Sequence, residues 1–89
     1  MPRVSFTTHL ARHLDCPAET VDGGTVREVL DGYFARRPGV RAYVLDEQGA
    51  LRRHVVIFIG DQQARDRNGL SDPVPGGAEV YVMQALSGG

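Results

Sequence analysis

Thr25-Val26-Arg27-Glu28-Val29-Leu30-Asp31-Gly32-Tyr33-Phe34 reads as an amphipathic helix that carries its own start signal. Val26, Val29, Leu30, Tyr33 and Phe34 recur at i, i+3, i+4, i+7 and i+8, so they share one face. Thr25 and Glu28 form a capping box, in which the hydroxyl and the carboxylate each serve a free backbone N–H. Arg36-Arg37 suit the negative end of the helix dipole, and Pro38-Gly39 read as the stop. A helix with one apolar face requires a second layer to bury it.

The flanking sequence supplies that layer as strands. Arg3 to Thr8 alternates, with Val4 and Phe6 on one face and Arg3, Ser5 and Thr7 on the other. A loop follows through His9 to Pro17, with a helical turn as an alternative within it. A second strand is expected over Ala18 to Asp22 with Val21 inward, broken by Gly23-Gly24. After the helix, Val40 to Leu45 reads as a short strand or extended connection, and Asp46 to Gly49 as a polar turn. Val55-Val56-Ile57-Phe58-Ile59 is an apolar strand. Gly60-Asp61 turns the chain, and Gln62 to Arg65 reads as a small edge strand. Leu70 is expected to be buried beneath the loop Ser71 to Val74. Pro75-Gly76-Gly77 then leads into the last strand, Glu79 to Gln84. The pattern predicts an α+β fold, with one main helix across one face of a four- or five-stranded mixed sheet.

Composition bounds the function. The 89 residues suffice for one small domain, and 42% hydrophobic content is ordinary for a globular chain. The longest apolar run, Val55 to Ile59, is far too short for a helical membrane span, and no charged-then-apolar signal segment opens the chain. No membrane partner is expected. The single cysteine, Cys16, cannot form an internal disulfide, which fits a reducing cytoplasm. A net charge of −1 with dispersed signs argues against a nucleic-acid partner, which calls for a basic excess. The ten basic residues are all arginine. Biased codon usage accounts for that, and its consequence is chemical: no side-chain amine is present.

The chain ends in Gly88-Gly89. Lacking a Cβ, glycine passes through channels that exclude other residues, so a terminal diglycine can be threaded into a partner's active site. Together with the order of elements, it gives the chain a specific likeness. Val4 to Phe6, the Gly23-Gly24-Thr25-Val26 helix start, Val55 to Asp61, and Asp72 to Gly89 resemble the MoaD/ThiS family of sulfur carriers. Within the last segment, Asp72-Pro73-Val74-Pro75-Gly76-Gly77-Ala78-Glu79-Val80 resembles that family's turn into its final strand. Gln84-Ala85-Leu86 stands where many relatives carry proline. Asp46 to Arg53 is longer than in the shortest thiamin-type carriers, closer to molybdopterin-type carriers or to those feeding cysteine synthesis.

The resemblance implies a ubiquitin-like β-grasp domain over residues 1–84 and a flexible tail over 85–89. It implies a cytoplasmic carrier rather than an enzyme. A ubiquitin-activating-type enzyme would use MgATP to adenylate the Gly89 carboxylate, Gly88 would thread the tail, and sulfur would then replace AMP to leave a thiocarboxylate. No cofactor would be bound by the chain itself. A second partner would take the sulfur, such as a molybdopterin synthase large subunit or a cysteine synthase. Leu86 would be the tail's apolar grip.

Strand alternation points to a docking surface. If Val55, Ile57 and Ile59 face the helix, then Val56 and Phe58 face away; by the same parity Tyr81 and Met83 oppose Val80 and Val82. Four apolar side chains on an uncovered sheet face would be exposed and suited to a partner, or to a second copy of the chain. Weaker signals are set against this. His9, His13 and Cys16, with Asp15 or His54, include zinc-ligand types but match no structural zinc spacing, so no metal is expected. Cys16 beside a histidine lacks any sign of an oxyanion hole. Gly23-Gly24-Thr25 lacks the lysine and spacing of a phosphate loop and reads as a turn and cap. Arg52-Arg53-His54 and Arg65-Asp66-Arg67 read as solvated faces. The alternatives to a carrier are a non-covalent ubiquitin-like interaction module or regulatory subunit, and a protein modifier conjugated through Gly89.

Overall fold

A computed structural model describes residues 1–7, 10, 12 and 15–84. The elements described in full are the strands β1 (Arg3–Phe6), β2 (Glu19–Thr20), β3 (Val55–Ile59), β4 (Gln62–Gln63) and β5 (Glu79–Gln84) and the helices α1 (Val26–Arg36) and α2 (Pro38–Val44); Leu10 and Arg12 are also helical. The sheet order is β2-β1-β5-β3-β4. β1 and β5 run parallel in the centre, with Arg3 opposite Glu79 and Phe6 opposite Val82, and the other pairings are antiparallel. The expected α+β fold, a mixed sheet with its main helix on one face, is what forms.

The helix stripe and the strand parity meet in one core. Val26, Val29, Leu30, Tyr33 and Phe34 are buried, as are Val4, Val55, Ile57, Val80 and Val82 from the three central strands. Thr25 caps α1: its Oγ1 accepts from the Glu28 N–H at 3.2 Å. Glu28 returns the favour one residue further out than a standard capping box, its Oε1 accepting from the Gly24 N–H at 2.8 Å. Tyr33 is fully buried, and its hydroxyl donates to the Pro17 carbonyl at 2.8 Å. Burial, more than any neighbouring charge, pushes that phenol up to about 12.

Gly32 lies where α1 approaches the β2 segment. A Cβ there would come within 2.6 Å of Val21 Cγ1, and Val21 is itself buried and stiff at χ1. Gly32→Ala gains up to about 1 kcal/mol of helix propensity, but the clash costs about 1–3 kcal/mol. The denaturation midpoint of Gly32→Ala is therefore expected to fall. In a Val21→Ala background the same change should raise it. A rise in the wild-type background would show that the helix and the segment are not in contact.

Three expected boundaries differ. Pro38 does stop α1, since it drives Arg37 out of helical geometry (φ −135°, ψ 71°), but it also opens α2 at the first helical position. Val40 to Leu45 is therefore not a strand or extended connection; Val40 and Val44, one helical turn apart, are buried by α2. A short apolar run reads alike in either period. The second strand is Glu19–Thr20 rather than Ala18 to Asp22, although the Val21 N–H still donates to the Pro2 carbonyl at 2.8 Å. The edge strand stops at Gln63 rather than Arg65. Ala64 still donates to Ile57 at 2.8 Å, but the next two N–H groups, of Arg65 and Asp66, turn to the Asp72 carboxylate at 3.0 and 2.7 Å.

Candidate functional site

The connection from β4 to β5 sets the position of the last strand, and carboxylates organise it. Asp66 accepts from the N–H groups of Asn68, Gly69 and Ser71 and from the Ser71 hydroxyl, the last at 2.6 Å. Asp72 holds the two N–H groups named above. Arg27 reaches over from α1 and donates to the carbonyls of Gly49 (2.7 Å) and Asn68 (3.0 Å), while Arg67 donates to the Arg52 carbonyl at 2.7 Å. Leu70, fully buried as expected, sits in the left-handed region at φ 55°. That conformation is uncommon outside glycine and asparagine; here it turns the Leu70 carbonyl onto the Arg27 N–H at 2.9 Å. Arg65-Asp66-Arg67 is thus a structural hub rather than a solvated face.

This hub is acid-labile by construction. The Ser71 hydroxyl first, then the Gly69 and Ser71 N–H groups, hold the Asp66 carboxyl down to about 2. The Arg65 and Asp66 N–H groups lower Asp72 in the same sense. A depressed folded-state value contributes stability that is full above the ordinary carboxylate value and is lost as pH falls through the folded one. The thermal midpoint is therefore expected to drop as pH goes from about 4.5 to about 2. Asp66→Asn should be less stable near neutrality and show a shallower drop. An unchanged acid profile in that variant would remove Asp66 from the account.

The same connection closes the helix start to ligands. The N–H groups of Val26 and Arg27 donate to the carbonyls of Asp72 (3.0 Å) and Leu70 (2.9 Å), and that of Glu28 is taken by Thr25. Gly23-Gly24-Thr25 is a turn and cap, and the N–H groups of Val26, Arg27 and Glu28 are already taken.

On the sheet face away from α1, Phe58 pairs across with Tyr81 and Val56 with Met83. The parity is as expected; the exposure is not. All four side chains are half-buried, and among the described residues the exposed large hydrophobics are Met1 and Tyr43. Directly opposed residues shield one another, so two apolar cross-strand pairs lose part of their accessible surface without a third layer. The face is graded along β5. Its near end carries Arg3 level with Glu79, whose carboxylate accepts from the Ser5 hydroxyl at 2.6 Å. Its far end carries Met83 and Val56 beside Gln84, the last described residue, which lies opposite Val55. The apolar half of the face therefore adjoins the point where residues 85–89 begin. Leu86, Gly88 and Gly89 lie outside the described residues.

Tyr43, 55% exposed on α2, was missed because that helix read as extended chain. The overlooked signals were proline at the first helical position and Val40 and Val44 spaced by one turn.

Cys16 is buried, and burial first, then the charge of Asp15, push its thiol up, which is the wrong direction for a nucleophile. Asp15 is spent on Arg37 at 3.5 Å, and Arg37 is held more tightly by Glu19 at 2.9 Å. His9 and His13 lie outside the described residues; among the described residues no group of three histidine, cysteine or acidic side chains is placed to hold a metal. No described helix is long and apolar enough to cross a membrane.

No protein-family model matches the chain. Known proteins do. The sulfur carrier protein CysO of Mycobacterium tuberculosis is 28% identical over 72 residues, covering 79% of this chain and 77% of that protein. The crystal structure of the Amycolatopsis orientalis BexX/CysO complex contains a chain that superposes with a TM-score of 0.82 at 28% identity, covering 100% of both. The chain has the ubiquitin-like β-grasp fold and is similar to sulfur carriers of the MoaD/ThiS kind. SAMP1 from Haloferax volcanii, 23% identical with a TM-score of 0.77 over 99% of this chain and 98% of that one, shares the β-grasp fold. The β-grasp fold accounts for the central parallel pair: β1 and β5 lie side by side, and the chain between them supplies the helix layer.

Proposed function

We propose that this MoaD/ThiS-type protein carries sulfur as a thiocarboxylate on Gly89. The supporting observation is the conjunction of a β-grasp fold, whose last strand ends at Gln84, with a Gly-Gly pair at positions 88 and 89. The kinship with proteins named sulfur carrier CysO favours this over an interaction module with an incidental diglycine. The chain acts as a co-substrate of partner enzymes rather than as an enzyme.

The chemistry needs a partner because a carboxylate has no good leaving group. In the partner's site, a Gly89 carboxylate oxygen attacks the α-phosphorus of MgATP and pyrophosphate leaves. Sulfide then attacks the acyl carbon of the mixed anhydride, the C–O bond breaks and AMP departs, leaving C–S. If a persulfide attacks instead, a thiol must afterwards reduce the S–S bond to free the thiocarboxylate. Five residues beyond Gln84 reach at most about 16–18 Å, enough to enter a recessed site. The sulfur is then a soft nucleophile for an acceptor enzyme, in cysteine, molybdopterin or thiamin-type synthesis; the CysO kinship favours the first.

The test is direct. The chain is incubated with an adenylating enzyme from the same genome, MgATP and sulfide, and its intact mass is followed. Replacement of one terminal oxygen by sulfur, dependent on ATP, is expected. An unchanged mass with every such enzyme in the genome would overturn the proposal.

The apolar half of the outer sheet face, Val56, Phe58, Tyr81 and Met83, is the proposed docking surface for the activating enzyme, because a partner seated there also covers the start of the tail. Phe58→Ala and Tyr81→Ala are expected to weaken that complex by about 2 kcal/mol or more each, as buried aromatic anchors do. Their effect on the isolated chain should be smaller than that of core truncations, since both side chains are only half-buried. Calorimetric titration and denaturation of the same variants separate the two. Large destabilisation with unchanged affinity would withdraw the surface.

A further inference from the structure

We propose that the chain is built so that its own activated terminus cannot acylate it, leaving the acyl group for a nucleophile that a partner supplies. This deepens the sulfur-carrier reading and rests on it. An acyl-adenylate or a thioester is attacked by amines and thiolates. The 89 residues offer almost none. The ten basic side chains are guanidinium groups, protonated at every physiological pH and without a free lone pair. Cys16 is only 5% exposed and is kept as the thiol. Acyl transfer to a histidine gives an acyl-imidazole, which water removes.

One amine remains, on Met1, and the fold places it at the wrong end. β1 and β5 are parallel, so Arg3 is level with Glu79, five residues before Gln84. Met1 lies two residues further back, its neighbour Pro2 held by the Val21 N–H at 2.8 Å. At about 3.3 Å per residue, the separation along the strand is roughly 23 Å. Residues 85–89 span at most about 16–18 Å when straight. β5 points away from Met1, so a return path also spends at least two residues on a tight turn. Nor can a second copy offer a side-chain amine, so copies cannot be joined through side chains.

The experiment installs the activation chemically, which makes it independent of any activating enzyme. The 89-residue chain is prepared with Gly89 as a mercaptoethanesulfonate thioester and held at mildly alkaline pH. Attack by an amine forms the C–N bond, breaks the C–S bond and releases the thiol with the amine's proton. The internal amide is lighter than the hydrolysed acid by one water, so mass spectrometry distinguishes them. Wild type is expected to give only the acid. Arg53→Lys places an amine two residues before Val55, at the end of the sheet where the tail begins, and is expected to give the internal amide as its main product. Arg3→Lys, level with Glu79, is expected to behave as wild type.

An internal amide in wild type, equal cyclisation of Arg3→Lys and Arg53→Lys, or no cyclisation of Arg53→Lys would each overturn the proposal. Failure of the sulfur-carrier reading would appear elsewhere, in the ATP-dependent mass change.

Discussion

Removal of Gly89, or addition of one residue after it, is expected to abolish adenylation while leaving the fold unchanged. The reaction needs a carboxylate at a set distance from the docking surface. A terminus shortened by one residue falls short by roughly 3.5 Å, and a displacement of even about 1 Å from a productive geometry can cost about a hundredfold in rate. An added residue brings a side chain into a channel that the diglycine is suited to enter. The core has no stake in the change, because among the described residues it closes at Val82. ATP–pyrophosphate exchange with the activating enzyme should fall to background for both variants, with denaturation midpoints equal to wild type. Full exchange by the deletion would leave Gly89 without a role and favour the non-covalent module.

Leu30→Ala and Phe34→Ala are expected to cost about 2–5 and 3–5 kcal/mol respectively. Leu30 is fully buried and Phe34 nearly so, and both lie on the longer of the two described helices, against the sheet. Neighbours cannot collapse into the space easily, because the strands opposite are held in register and the helix start is tied to the β4–β5 connection by backbone hydrogen bonds. A domain of this size has about 5–15 kcal/mol in all, so either variant should be partly unfolded at moderate temperature. Urea titration followed by circular dichroism reads the shift. Midpoints equal to wild type would mean that this helix face is not packed on the sheet.

Much of the fold was legible because it is written in local periods. The stripe from Val26 to Phe34 repeats at a helical spacing, and the β-branched and aromatic runs Val55 to Ile59 and Glu79 to Gln84, bounded by turn residues, are of strand length. Thr25 and Glu28 mark the helix start by side-chain chemistry close to their own backbone. Part of the candidate site shared that legibility, since parity grouped Val56 with Phe58 and Tyr81 with Met83, while the burial of Val55, Ile57, Val80 and Val82 decided which group faces away from the helix. The exposure of those four was not legible, because it depends on which residue stands opposite on another strand.

The sequence by itself determined the helix and its cap, the three main strands, the arginine-only basic set and the diglycine. These follow from rules acting over a few residues, or from composition. Only the tertiary structure decided that Val40 to Val44 is helical, that the edge strands stop after two residues, and that β1 lies parallel to β5. It also decided that Asp66 and Asp72 spend their carboxylates on a loop, and that Met1 lies far from the tail's starting point. The physical reason is the same in each case. A short apolar run, a lone carboxylate or a chain end has several local solutions of similar energy, and the choice falls to partners distant in sequence that are present only once the chain has folded.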